Sequence, residues 1–153
     1  MVLALLLLLA SATFEESFRT GLLALQRNDL NAAQSNLEAA AKLAPNNGRA
    51  WIALAQTYWK QKAHVKADAA AARAEALAPR DPLVLSSLAI YYGESGQALK
   101  SAVAQARYSA LVPGDSSARE RAESLCFQAA QPLLRQGKFA EAIAILKIGR
   151  AHV

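Results

Sequence analysis

The sequence predicts an all-α fold in which pairs of helices repeat along the chain. Three Leu-Ala-Pro or Leu-Val-Pro stretches end at Pro45, Pro79 and Pro113, and each proline follows the previous one by 34 residues. A fixed period of this length is typical of a helix–turn–helix unit. The chain is also 54% apolar but only 7% aromatic, and much of its apolar content is alanine. A core of such small residues needs helices that approach one another closely.

The first element, residues 2–10, is an apolar run of mostly leucine, and the small residues Ala10, Ser11 and Ala12 end it. The run is too short to cross a bilayer, which takes about 20 apolar residues in a helix. The pattern is that of the hydrophobic region and cleavage site of a secretory signal. We therefore expect residues 1–12 to be a signal peptide. The alternative, a start inside a longer signal or membrane anchor, also places the chain outside the cytoplasm.

Three blocks follow when the sequence is aligned on the prolines: residues 14–47, 48–81 and 82–115. Two positions of each block always carry a small residue, as the crossing point of two helices about 8–10 Å apart requires. They are Gly21, Ala55 and Ala89 at the eighth position, and Ala33, Ala67 and Ser101 at the twentieth.

Capping and turn residues predict where the helices of each block begin. Asp81 followed by Pro82 is an N-cap with a proline at the first helical position. The pairs Asn46-Asn47 and Asp115-Ser116 offer caps at the corresponding places. The turn pairs inside the blocks are Asn28-Asp29 and Ser95-Gly96, with Lys62-Ala63 as a weaker one.

A further pattern of large residues accompanies the period. The second block contains W-x-x-L-x-x-x-Y as Trp51, Leu54 and Tyr58, and the third keeps Leu88 and Tyr92. With the period, the prolines and the small positions, residues 14–146 resemble the tetratricopeptide repeat family. The resemblance implies a right-handed α-solenoid of antiparallel helix pairs, with three full units and a displaced, truncated fourth.

The fourth unit covers residues 117–146 and is longer at its front. Gly137 follows Gly96 by 41 residues, seven more than the period, so its first helix should gain about two turns. We expect Pro132 to kink or split that helix. The second helix should run from Phe139 to about Leu146.

The last seven residues, KIGRAHV, resemble a translated sequencing adapter. Residues 147–153 are therefore expected to be a non-native tail, with the biological sequence ending near Leu146 and the gene continuing. Without Lys147 and Arg150, the formal net charge falls from +5 to +3. Because the remaining cations form no cluster, we expect no nucleic-acid partner.

Few residues suit catalysis or metal binding. The chain has two histidines, His64 and His152, and one cysteine, Cys126. It contains no phosphate loop, no serine elbow and no metal-ligand spacing. We expect no catalytic residues, no metal and no cofactor, and hence no enzyme. Cys126 should be a buried thiol, with an intermolecular disulfide as the alternative.

The family resemblance implies a concave groove lined by the first helix of each repeat. We expect Trp59 to be its main anchor, since aromatic side chains contribute much of the binding energy at interfaces. The apolar members and Trp59 could instead pack between neighbouring repeats. Some predicted groove residues occupy the repeat positions that face the groove in the family, and the others are polar residues at its edges. Together they are Phe18, Arg19, Leu22, Arg49, Ile52, Gln56, Trp59, Lys60 and Ile90.

The expected function is that of a non-catalytic scaffold. We expect it to be exported, as in bacteria, to the periplasm or the extracellular space. It would bind a protein or peptide partner in the groove, and it would contact a membrane only through an uncleaved N-terminal segment. One alternative is the front part of a longer protein with a catalytic or membrane domain downstream. A lesser alternative is a homo-oligomer formed through an uncapped C-terminal repeat.

Overall fold

The computed structural model describes the backbone of residues 2–150 and the side chains from Thr13 to Arg150. Within residues 2–150 the chain forms eight α-helices and no strand, which confirms the all-α prediction. The helices are α1 (Val2–Gln26), α2 (Leu30–Leu43), α3 (Gly48–Lys60), α4 (His64–Leu77), α5 (Pro82–Glu94), α6 (Ala98–Leu111), α7 (Ser116–Arg135) and α8 (Phe139–Arg150).

The helices group into two compact units, one up to Ala78 and one from Pro79. In the first unit, α1 packs on α2, α2 on α3, and α3 on α4. In the second unit, α5 packs on α6, α6 on α7, and α7 on α8, which also reaches α6. Within each unit, the helices therefore pack mainly on their neighbours in sequence, as expected for a repeat protein.

Polar caps begin the first helix of the second, third and fourth pairs, as predicted. The Asn47 side chain accepts hydrogen bonds from the amides of Arg49 and Ala50. Asp81 does the same for α5, whose first residue is Pro82. Asp115 accepts from the amide of Ala118 at the start of α7. The caps satisfy amides that have no partner inside the helix.

The turn within each helix pair contains one residue with a left-handed backbone. These residues are Asn28 (φ 59°), Lys62 (φ 64°), Gly96 (φ 75°) and Gly137 (φ 74°). Glycine and asparagine tolerate this conformation, whereas lysine adopts it at a steric cost. Lys62 therefore makes the same turn as the others despite its unfavourable residue type.

The small positions of the repeat allow the predicted close approach. Ala33, Ala55 and Ala67 have no exposed surface. A Cβ atom on Gly21 would lie 2.6 Å from Cγ of Leu37 on α2. In the third pair, Oγ of Ser101 donates a 2.7 Å hydrogen bond to the carbonyl of Ala89 across the crossing point.

The fourth pair is longer at its front, as predicted. Helix α7 has 20 residues, against 13 in α3 and 13 in α5. The expectation that Pro132 splits this helix is wrong, because α7 continues to Arg135. Pro132 lies in the last turn, where it removes only the bond to the carbonyl of Gln128.

The two ends of the chain continue existing helices where they are described. Residues 2–12 begin α1, and the side chains of the predicted signal peptide lie outside the described ones. Lys147–Arg150 extend α8 past Leu146, whereas residues 151–153 of the predicted tail lie outside the described residues. Among the helices described, none has the length together with the apolar character that a membrane span needs.

Candidate functional site

The predicted groove residues of α1 differ in their exposure. Phe18 is half-buried, and its ring stacks on that of Phe14 with centroids 5.6 Å apart. Leu22, one turn further on, is also half-buried, and Arg19 is exposed. Phe18 and Leu22 share a helix face because they are four residues apart.

On α3 the predicted groove residues also differ in exposure. Ile52 is only 5% exposed, so its side chain belongs to the core and offers little surface to a partner. Gln56 and Trp59 are half-buried, and the centre of the Trp59 ring lies 4.4 Å from the centre of the His64 ring on α4. The two cationic residues of the prediction, Arg49 and Lys60, are exposed.

In the second unit, α5 presents two large apolar side chains to solvent. Leu83 is 57% exposed and Ile90 is 58% exposed. They are seven residues apart and therefore lie on the same helix face. Ile90 is a predicted groove residue, and it carries far more exposed apolar surface than its counterpart Leu22.

A second surface, which the sequence prediction did not include, surrounds Trp51 in the first unit. Here α2, the following turn and α3 enclose a cavity of about 280 Å³. The indole Nε1 of Trp51 donates a 2.9 Å hydrogen bond to the carbonyl of Pro45 and so holds the ring over the turn. The cavity is lined by Glu38, Ala41, Lys42, Pro45, Trp51, Leu54 and Tyr58, and we call it the Trp51 pocket.

Two cations of α4 lie over the aromatic rings of this surface. The guanidinium of Arg73 is 4.1 Å from the centre of the Trp51 ring. The ammonium of Lys66 is 5.7 Å from the centre of the Tyr58 ring. Both contacts fall within the range of cation–π attraction. The seven-residue spacing of Trp51 and Tyr58, matched by that of Lys66 and Arg73, was the signal in the sequence that could have revealed this surface.

Glu38 anchors the polar edge of the Trp51 pocket. Its Oε1 accepts 2.8 Å hydrogen bonds from the Tyr58 hydroxyl and from Nε2 of Gln34. These two bonds lower the pKa of Glu38, with a smaller contribution from nearby lysines. Burial, together with the bond and the charge of Glu38, raises the pKa of Tyr58 to about 12. The pair therefore stays as carboxylate and neutral phenol at neutral pH.

The second unit contains the predicted buried thiol and a cavity of its own. Cys126 is 1% exposed, and it packs with Ala130, Ala142 and Ile145. Burial raises the pKa of the thiol, which keeps it protonated. The cavity has a volume of about 350 Å³ and is lined by Pro79, Arg80, Leu85, Val103, Ala106, Arg107, Ala110, Leu111 and Ile148.

The described side chains include groups that can hold a peptide segment. Among those from Thr13 to Arg150, no three His, Cys, Asp or Glu residues come together as metal ligands. Exposed apolar and cationic groups on helices can instead hold a peptide segment.

Comparison with known proteins agrees with the architecture. Residues 24–90 match the sequence profile of the tetratricopeptide repeat. A solved structure from the functional characterization of Pseudomonas aeruginosa PilF is similar in fold, with a TM-score of 0.62 at 17% sequence identity. The similarity covers 94% of this chain and 78% of the PilF chain. No curated protein sequence matches this chain. The matched profile and the consecutive helix pairs show that residues 24–90 of this chain contain tetratricopeptide repeats.

Proposed function

We propose that this protein is a non-catalytic scaffold that binds a segment of a partner protein along the first helices of its repeats. Tetratricopeptide repeats generally mediate protein–protein interaction and are typically non-catalytic. The observation that carries the proposal is the exposure of Leu83 and Ile90, 57% and 58%, on one face of α5. Packing within the unit leaves this apolar face uncovered, and a partner segment would bury it.

The face on α1 and α3 would contribute mixed chemistry to binding. Phe18, Leu22 and Trp59 are half-buried there, and Arg19 and Lys60 are exposed. Apolar centres with a charged rim are typical of peptide-binding surfaces. A partner segment would gain affinity from the apolar side chains and orientation from the cations.

The binding test places a photo-crosslinking residue at Ile90 and, as a matched control, at Val65, which is 85% exposed on α4. We expect partner adducts from position 90 that disappear when Leu83 is also changed to Glu. Equal adducts from positions 65 and 90 would argue against binding at α5.

The proposal also includes export from the cytoplasm. It rests on the leucine-rich residues 2–10 and the small residues that follow them. The test fuses residues 1–20 to a reporter enzyme that is active only after export, and it determines the N-terminus of the mature chain. We expect activity and a new N-terminus at Thr13. A reporter that stays inactive would exclude export by this segment.

Self-association is a second candidate, favoured by the exposure of α8. Phe139 is 62% exposed and Ile143 is 51% exposed, one turn apart on the same helix face. Light scattering should then show a dimer that Ile143→Asp dissociates. A monomer at all concentrations would eliminate this candidate.

A further inference from the structure

The Trp51 pocket faces a different direction from the predicted groove. On α3, the groove positions are Ile52, Gln56 and Trp59, whereas the pocket uses Trp51 and Tyr58. At 3.6 residues per turn, the mean directions of the two sets differ by about 120° around the helix. A ligand in the pocket therefore does not occupy the groove, and the two surfaces can be tested separately.

The size of the Trp51 pocket suits one apolar side chain. Its volume of about 280 Å³ lies just below the roughly 300–1,000 Å³ of sites for drug-sized ligands. Ala41 and Leu54 are buried beneath it, and Pro45 and Trp51 form apolar walls that remain accessible. An aromatic or branched aliphatic side chain would bury its surface against these four residues.

The rim of the pocket carries an excess of positive charge. Lys42 lies on the rim, and Lys66 and Arg73 lie over Tyr58 and Trp51. All three cationic side chains are exposed. The one negative charge among the lining residues is that of Glu38, whose carboxylate already accepts two hydrogen bonds from its own unit.

The acidic residues of α4 lie on a different face of the helix from Lys66 and Arg73. Asp68 and Glu75 each lie two positions after Lys66 or Arg73, and residues two apart on a helix do not share a face. The charged side chains that line the pocket or lie over its rings are therefore three cations and Glu38. Negative charge beside the apolar side chain is what complements this rim.

We propose that the Trp51 pocket binds a partner segment in which an aromatic or aliphatic side chain adjoins acidic residues. The apolar side chain enters between α2 and α3, and the acidic side chains pair with Lys66, Arg73 or Lys42. The guanidinium of Arg73 lies over the Trp51 ring, and a guanidinium in this position has N–H groups that can donate to a carboxylate. This second binding surface is independent of the groove.

The two tryptophans of the chain allow each surface to be observed alone, because one lies at the pocket and one at the groove positions. Trp59→Phe leaves Trp51 as the only tryptophan, and Trp51→Phe leaves Trp59. The probe is a phage-displayed library of random short peptides, selected on the full chain, followed by synthesis of the recovered peptides. We expect them to combine Phe, Trp or Leu with neighbouring Asp or Glu.

The recovered peptides should change the fluorescence of Trp51 and leave that of Trp59 unchanged. Lys66→Glu combined with Arg73→Glu should weaken binding by about tenfold or more, a loss of at least about 1.4 kcal/mol. Lys138→Glu, an exposed charge reversal in the second unit, is the matched control and should bind normally. Circular dichroism of each variant checks that it remains folded.

Several outcomes would overturn the proposal. They are the absence of any selected peptide, peptides that are basic or uncharged, and binding that survives the double charge reversal. A response of Trp59 alone would place the peptides in the groove, which would support the proposed function but not this pocket. Stronger quenching of Trp51 by phosphatidylglycerol vesicles or single-stranded DNA than by the peptides would assign the cations to another class of ligand.

Discussion

Gly21 sets how closely α1 can approach α2. A methyl group there would lie 2.6 Å from Cγ and 2.8 Å from Cδ2 of Leu37, which is fully buried and has no room to move. Alanine normally favours a helix over glycine by about 1 kcal/mol. We expect Gly21→Ala instead to lower the free energy of unfolding by about 1–3 kcal/mol, as overpacked cores do. Urea unfolding, monitored by circular dichroism, measures this change in the free energy of unfolding.

Gly93 is the matched control for this substitution. It lies in α5 and is exposed, and a Cβ atom there would be 3.4 Å from Oγ of Ser101, an ordinary contact. Gly93→Ala should therefore raise the free energy of unfolding by about 0.5–1 kcal/mol. If both substitutions stabilise the protein, the crossing of α1 and α2 is looser than described.

The Glu38–Tyr58 hydrogen bond gives a test by titration. Because the folded protein raises the pKa of Tyr58 from 10.0 to about 12, the stability that this group contributes is complete below pH 10 and is lost as the pH rises toward 12. Glu38→Gln should lower the pKa of Tyr58 toward 10 without reaching it, since burial, the largest cause, remains. The tyrosinate absorbance lost in Tyr58→Phe measures this pKa. An unchanged pKa in Glu38→Gln would mean that the bond does not form in solution.

At single residues, the sequence predicted packing better than exposure. The small residues Ala33, Ala55 and Ala67 could be found from the period because a crossing excludes anything larger. The burial of Ile52 could not be found in this way. It depends on how closely the neighbouring helices cover that face of α3, which repeat position alone does not determine. Trp51 and Tyr58 were recognised as repeat residues, but the cavity beside them depends on the side chains of three helices.

Helix α4 differs from α2 in how it begins. Asp29 caps α2 by accepting a 3.1 Å hydrogen bond from the amide of Ala32. The same repeat position before α4 is Ala63, with a similar backbone (φ −86°, ψ 61°, against φ −81°, ψ 83°), and alanine has no acceptor. We expect Ala63→Asp to raise the free energy of unfolding by about 0.5–2 kcal/mol.

Thermal unfolding of Ala63→Asp beside Ala72→Asp separates capping from added charge. Ala72 is exposed in the interior of α4, where aspartate cannot cap and should cost about 0.5 kcal/mol or more. Equal effects of the two substitutions would show that Ala63 does not act as an N-cap.

At the level of elements, local signals located the ends of helices well. Asp81 with Pro82 marked the start of α5 because a cap and a first-turn proline act only on nearby amides. Pro132 does not split α7, because the effect of a proline depends on its distance from the helix end, and α7 ends three residues later. Lys62 shows where local signals fail in the opposite way. Packing of α3 on α4 imposes a turn there, although lysine itself disfavours the turn's backbone conformation.

For the whole molecule, the 34-residue period predicted consecutive helix pairs, but it could not predict that they divide into two compact units after Ala78. That division has its own probes. Both tryptophans lie in the unit up to Ala78, and the one cysteine lies buried in the unit from Pro79. Tryptophan fluorescence therefore reports unfolding of the first unit, and labelling of Cys126 by a thiol reagent reports opening of the second.

Core substitutions should act mainly within their own unit. Leu37 and Leu88 are both fully buried, one in each unit. Truncating either to alanine should cost about 2–5 kcal/mol. In a repeat protein, whose stability is a sum of local terms, Leu88→Ala should speed the labelling of Cys126 more than it lowers the urea midpoint of the tryptophan signal. Leu37→Ala should do the reverse. If both substitutions shift both signals equally, the chain unfolds in one cooperative transition, because a loss of stability in either unit would then lower the stability of both.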